Sequence, residues 1–244
     1  MRDFQYKTMC SVGLLLALAL AVAAPAFAGN VNKSVNVPAG ATVAEASSVN
    51  GSVTVGEGAT VSGEASTVNG AIRIAENARV ADVSTVNGSL RIASGVETEN
   101  VGTVNGAIRI GENATINGWI EAVNGSISVA KGGTVAGNVS NVNGSIEIEA
   151  SEVAGDVATV SGDISLTDGA VLRGDLVVEK PGGWGWGRKS DRVPKIVVGP
   201  GSRVLGTIRL DREVKLYISD TAEVGGVEGE LSMSDAIRFS ADRP

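Results

Sequence analysis

The sequence predicts an all-β protein, a right-handed parallel β-solenoid of about ten short coils of 18–19 residues. Three observations lead there. The tripeptide Val-Asn-Gly, or a close variant, recurs with its asparagines at Asn50, Asn69, Asn87, Asn105, Asn124 and Asn143, at intervals of 19, 18, 18, 19 and 19 residues. After each Asn-Gly the residues alternate polar and apolar, as in Ser52-Val53-Thr54-Val55 and Ala71-Ile72-Arg73-Ile74, the period of a strand with one buried face. Large side chains are scarce: only 3% of the 244 residues are aromatic, so the core must be narrow and built from Val, Ile, Leu and Ala.

The first element, residues 1–28, reads as a signal peptide. Arg2 and Lys7 make a positive start, Val12 to Ala24 is an apolar run too short to span a bilayer, and Ala26-Phe27-Ala28 has small residues at cleavage-site spacing. Cleavage is expected after Ala28. No further membrane span is expected, and the mature protein is expected in the periplasm, at the cell surface or secreted. The only cysteine, Cys10, lies before the apolar run, so disulfides cannot stabilise the mature chain. Removing Arg2, Lys7 and Asp3 from 20 basic and 27 acidic residues leaves 18 and 26, a net charge of −8. That balance argues against nucleic acid or anionic lipid as the main partner.

Residues 29–178 carry the regular repeat. Val31-Asn32-Lys33 extends it one period upstream and Val160-Ser161-Gly162 one period downstream. Each unit has a strand after Asn-Gly, then a turn such as Gly56-Glu57-Gly58-Ala59 or Gly111-Glu112-Asn113-Ala114. A second short strand follows, centred on Val61, Val80, Ile116, Val135 and Val153. Asn-Gly between alternating strands also signals a type I′ hairpin and an antiparallel sandwich. Sandwiches do not return one residue at one phase eight times, whereas a solenoid with three short sides does. At its sharp corner Asn tolerates the left-handed conformation, Gly relieves the bend, and stacked asparagines bond amide to amide. The asparagine ladder is therefore a structural device.

Residues 179–194 interrupt the coils with a Gly- and Trp-rich basic insertion containing Trp184, Trp186, Arg188 and Lys189. Two tryptophans cannot both enter a narrow aliphatic core, so they are candidates to cover an edge, dock a partner or stack on sugar rings. Coils resume over 195–230, and 231–244 reads as a polar tail or cap. A second candidate binding feature is Arg73, Arg91 and Arg109, which recur at one outward position in three successive coils. Like charges stacked at strand spacing repel, so they call for counter-charges, with Glu76 and Glu112 at hand, or for an anionic ligand such as an acidic polysaccharide. The acidic residues Glu147, Glu149, Glu152, Asp156 and Asp163 read as a solvated face, with no closed oxygen cage for calcium.

Absences shape the functional reading. The chain has no histidine, which removes the base of solenoid acyltransferases. The coils are too short and uniform to build the clefts of β-helical polysaccharide lyases. No P-loop, zinc spacing, nucleophile motif or calcium-binding nonapeptide is present, and no cofactor or metal is expected.

The tandem Val-Asn-Gly-x-Ile and Val-Ser-Gly-Asp-Ile units resemble the β-strand-repeat adhesin domains of bacterial exported proteins, over roughly residues 31 to 178. Later Gly-x-Ile coils such as Val204-Leu205-Gly206-Thr207-Ile208 look more like bactofilins, the polymer-forming cytoskeletal proteins. That resemblance implies end-to-end assembly. The expected function is a non-enzymatic exported envelope scaffold or adhesin-like protein that self-associates through its ends, with an envelope glycan or protein as partner. The alternative is a carbohydrate-binding module using the Trp184/Trp186 loop.

Overall fold

Every strand that follows a Val-Asn-Gly step joins one parallel sheet of eleven strands, running from Val35–Val37 to Ile237–Phe239. The computed structural model describes residues 31–181, 192–241 and 244. Val53 pairs with Ile72, Ile72 with Leu90 and Leu90 with Ile108, so each coil lies on the one before. A second parallel sheet of fifteen strands forms the rest of each coil. In three early coils this part is one long strand, Thr60–Asn69, Arg79–Asn87 and Glu97–Asn105. In the next coil it splits into Thr115–Ile116 and Ile120–Asn124. The result is the stacked all-β solenoid of about ten turns that the repeat predicts.

Alternation decides what is buried. In the Ile108–Ile110 strand both isoleucines point inward, and they meet Ala114, Ile116, Ile120 and Ala122 of the same coil, all 3% exposed or less. Each inward column stacks like on like, Ile108 between Leu90 and Ile127. Aliphatic side chains of one size class therefore fill the axis, each fully buried one contributing about 1.5–3 kcal/mol.

Two kinds of corner connect the sides. The turn after the first strand is a tight four-residue one, with Ala59 N–H donating to the Gly56 carbonyl at 3.2 Å. Its third residue is left-handed, as at Gly58 (φ 63°), Asn77 (56°), Asn113 (54°) and Gly132 (74°). Glycine and asparagine are favoured there because the Cβ penalty is absent or reduced. The Val-Asn-Gly corner works differently from expectation, because none of its asparagines has a positive φ. Its glycines are set by close stacking, and Gly144 also has a positive φ of 125°. A Cβ on Gly88 would overlap the Gly70 carbonyl oxygen, and one on Gly125 the Gly106 carbonyl oxygen.

The change between 19- and 18-residue coils is absorbed locally. Val61 pairs with Val80, 19 residues on, but Glu64 pairs with Asp82, 18 on, so the extra residue is taken up within the strand at Ser62-Gly63. The long insertion is likewise confined. Thr159 pairs with Val178 and Ile164 with Ile196, so it leaves and re-enters where other coils carry Asn-Gly. The segment from 231, read from sequence as a tail or cap, adds a single 3-10 turn at Met233–Asp235 and the final strand Ile237–Phe239, paired with Tyr217–Ser219. Residues 1–28, read from sequence as a signal peptide and including Cys10, lie outside the described residues.

Candidate functional site

The asparagines form a continuous hydrogen-bonded ladder on the outside of the solenoid. Asn50 Nδ2 donates to Asn32 Oδ1 at 3.0 Å, Asn69 to Asn50 at 2.9 Å and Asn87 to Asn69 at 2.9 Å. Asn105, Asn124 and Asn143 continue it at 3.0, 3.1 and 3.0 Å. Each amide offers one donor and one acceptor along the axis, and identical spacing lets every pair close the same way.

A second, inner column was not anticipated from the sequence. Two residues before each ladder asparagine lies a small, mostly polar residue that points inward: Ser48, Thr67, Thr85, Thr103, Ala122 and Asn141, with Thr159 at the same place before Ser161, are all 8% exposed or less. Thr67 Oγ1 donates to the Gly51 carbonyl at 2.8 Å, Thr85 to Gly70 at 3.1 Å and Thr103 to Gly88 at 3.3 Å. The hydroxyls thus satisfy corner carbonyls that the tight glycine stacking buries. The signal was present as the recurring Thr-Val-Asn-Gly, with a polar residue at an inward phase.

Arg73, Arg91 and Arg109 stack as direct partners in three adjacent strands and are exposed. No ion pair among the described residues reaches any of them. Glu112, expected as a counter-charge, pairs instead with Lys131 at 3.3 Å. Thr54 precedes the column and Ser128 follows it, so the basic run is limited to three coils. Elsewhere directly opposed charges are of both kinds: Arg79 pairs with Glu97 at 3.5 Å and Arg203 with Glu223 at 3.2 Å, while Lys195 lies opposite Lys215 and Glu64 opposite Asp82.

The acidic residues are distributed over several roles. Glu147 and Glu149 are exposed, and Glu152 pairs with Arg173 at 2.6 Å. Asp156 Oδ1 accepts the Asp175 N–H at 2.8 Å, and Asp175 Oδ1 accepts the Thr207 N–H at 2.8 Å. Asp163 accepts the Lys195 N–H at 2.8 Å and pairs with Arg192. With Arg212 donating to the Val160 carbonyl at 3.0 Å and the Arg192 carbonyl at 3.2 Å, it anchors the returning end of the insertion. Trp184, Trp186, Arg188 and Lys189 lie outside the described residues.

One further carboxylate stands out. Glu121 lies on an outer face two residues from Trp119, directly opposite Gly102. The Trp119 ring fills the space over Gly102, where a Cβ would come within 3.2 Å of it. Glu121 Oε2 is buried without a hydrogen-bond partner among the described residues, and burial pushes its pKa up from 4.5 to about 7. Sequence reading passed over this pair because Glu121 looks like any outward strand residue.

Among the described residues no helix is long and apolar enough to cross a membrane. No family model, curated protein or solved structure matches the chain.

Proposed function

We propose that this chain is a non-enzymatic exported rod that serves as a cell-envelope scaffold or adhesin-like protein and self-associates through its ends. The observation that carries the reading is the contrast between the middle and the ends of one continuous core. Central inward residues such as Ile108 and Ile127 are 0% exposed. Val35 and Val43 at one end, and Val224, Val227, Leu231 and Met233 at the other, pack against the same core but remain only part-buried. Among the described residues, Val35–Val37 and Ile237–Phe239 each have a sheet neighbour on one side only. A strand edge beside part-exposed aliphatic groups favours a second copy stacking on it.

Sedimentation and negative-stain microscopy over a concentration series test this directly. Rods lengthening in steps of about one solenoid, on the order of 50 Å at strand spacing, are the expected result. Val224→Lys and Val227→Lys should shorten them while leaving the circular dichroism spectrum intact. A monomer at every concentration would overturn the proposal.

A further inference from the structure

We propose that Arg73, Arg91 and Arg109 form a binding strip for a linear acidic polysaccharide lying along the solenoid axis, its carboxylates facing the guanidinium groups. Parallel strand spacing puts the three arginines about 4.8 Å apart, so the strip spans about 10 Å. Directly opposed like charges destabilise a sheet. Opposite charges meet at Arg79–Glu97 and Arg203–Glu223, and where like charges meet they are relieved by neighbours: Ser84 and Asn100 donate to the opposed Glu64 and Asp82, and Lys195, opposite Lys215, lies over the Tyr217 ring. The arginine column has neither an ion pair nor a side-chain hydrogen bond among the described residues. A polymer carrying carboxylates at intervals supplies the missing counter-charge. The planar guanidinium, with its fork of N–H donors, suits bidentate carboxylate binding.

The surroundings fit a sugar chain. Ala71, Ser89 and Ala107 flank the column on one side, and Ala75, Ala93 and Gly111 on the other. These short side chains leave the strand surface open to a flat ring. Beyond the first group runs the exposed ladder of Asn69, Asn87 and Asn105, whose amides each use one N–H along the ladder and keep a second for hydroxyl groups. A nucleic acid fits less well. The residues flanking the column are Ala, Ser and Gly, with no aromatic face on which bases could stack. The strip lies on the side of the rod, so it is independent of association through the ends.

Isothermal titration of the purified protein with polygalacturonate, neutral pullulan and single-stranded DNA tests the proposal. The expected result is binding to polygalacturonate that weakens with added salt, and none to pullulan. Arg73→Gln, Arg91→Gln and Arg109→Gln should each weaken binding about tenfold, as expected for loss of a charge-assisted hydrogen bond. An unchanged dichroism spectrum and melting profile in the triple variant would tie the loss to the strip. The double variant Arg79→Gln, Arg203→Gln should bind like the wild type. Failure to bind polygalacturonate, undiminished binding by the triple variant, equal loss in the double variant, or tighter binding of DNA would each overturn the proposal.

Discussion

Replacing Glu121 by Gln should stabilise the protein at neutral pH and do so progressively less as the solution is acidified. Burial raises the Glu121 pKa from 4.5 to about 7, so the folded state prefers the neutral acid. Below about 4.5 the carboxyl is protonated in both folded and unfolded chains, and no stability is lost. Between 4.5 and 7 the unfolded chain ionises while the folded one resists, so stability falls as pH rises. Above about 7 both are ionised and the loss is constant. The rise corresponds to an upper limit of about 3 kcal/mol, from 1.36 kcal/mol per pH unit. Glu121 is only part-buried, and solvent screening reduces the figure to about 1–2 kcal/mol. For a chain of this size that corresponds to a Tm gain of roughly 3–6 °C at pH 8. Thermal melts of wild type and Glu121→Gln at half-unit steps from pH 4 to 8 supply the test. The decisive quantity is the pH dependence of the difference, since the amide also changes local hydrogen bonding by a constant amount. A difference flat across that range would refute the argument.

Other positions test the stacking. Gly88→Ala forces a Cβ onto the Gly70 carbonyl and should cost about 3 kcal/mol or more, as overpacking against backbone does. Gly58→Ala meets open space and carries only left-handed strain, about 1 kcal/mol, so urea midpoints should rank the two clearly. Asn87→Ala removes two ladder bonds and Asn143→Ala one, so chemical denaturation should show about 1–2 kcal/mol for the first and roughly half for the second. Ile108→Ala opens a cavity in the central column and should cost about 2–5 kcal/mol in the same assay.

Much of the construction was legible because it repeats. Val-Asn-Gly at a steady interval gave the coil length, the alternation after it placed Ile72, Ile108 and Ile146 inside, and the turn chemistry located the second side. The arginine column followed from phase alone, since residues one period apart must stack. What was misread concerned distances between coils. The asparagine corner was expected to need left-handed backbone, whereas its glycines answer to a neighbouring carbonyl and its asparagines to one another.

The sequence by itself determined the periodic part of this protein: the all-β class, the parallel stack, the aliphatic core and the positions that share a face. Periodicity suffices there because strand alternation and coil length are local properties that repeat without reference to distant residues. Only the tertiary structure decided the rest. It paired Glu112 with Lys131 and not with the arginines, set the inner threonines against the glycine carbonyls, and buried Glu121 near Trp119. Each of these depends on the separation of side chains and backbone across adjacent coils, which a repeat spacing fixes only to the nearest residue, while hydrogen bonds and desolvation are decided within an ångström.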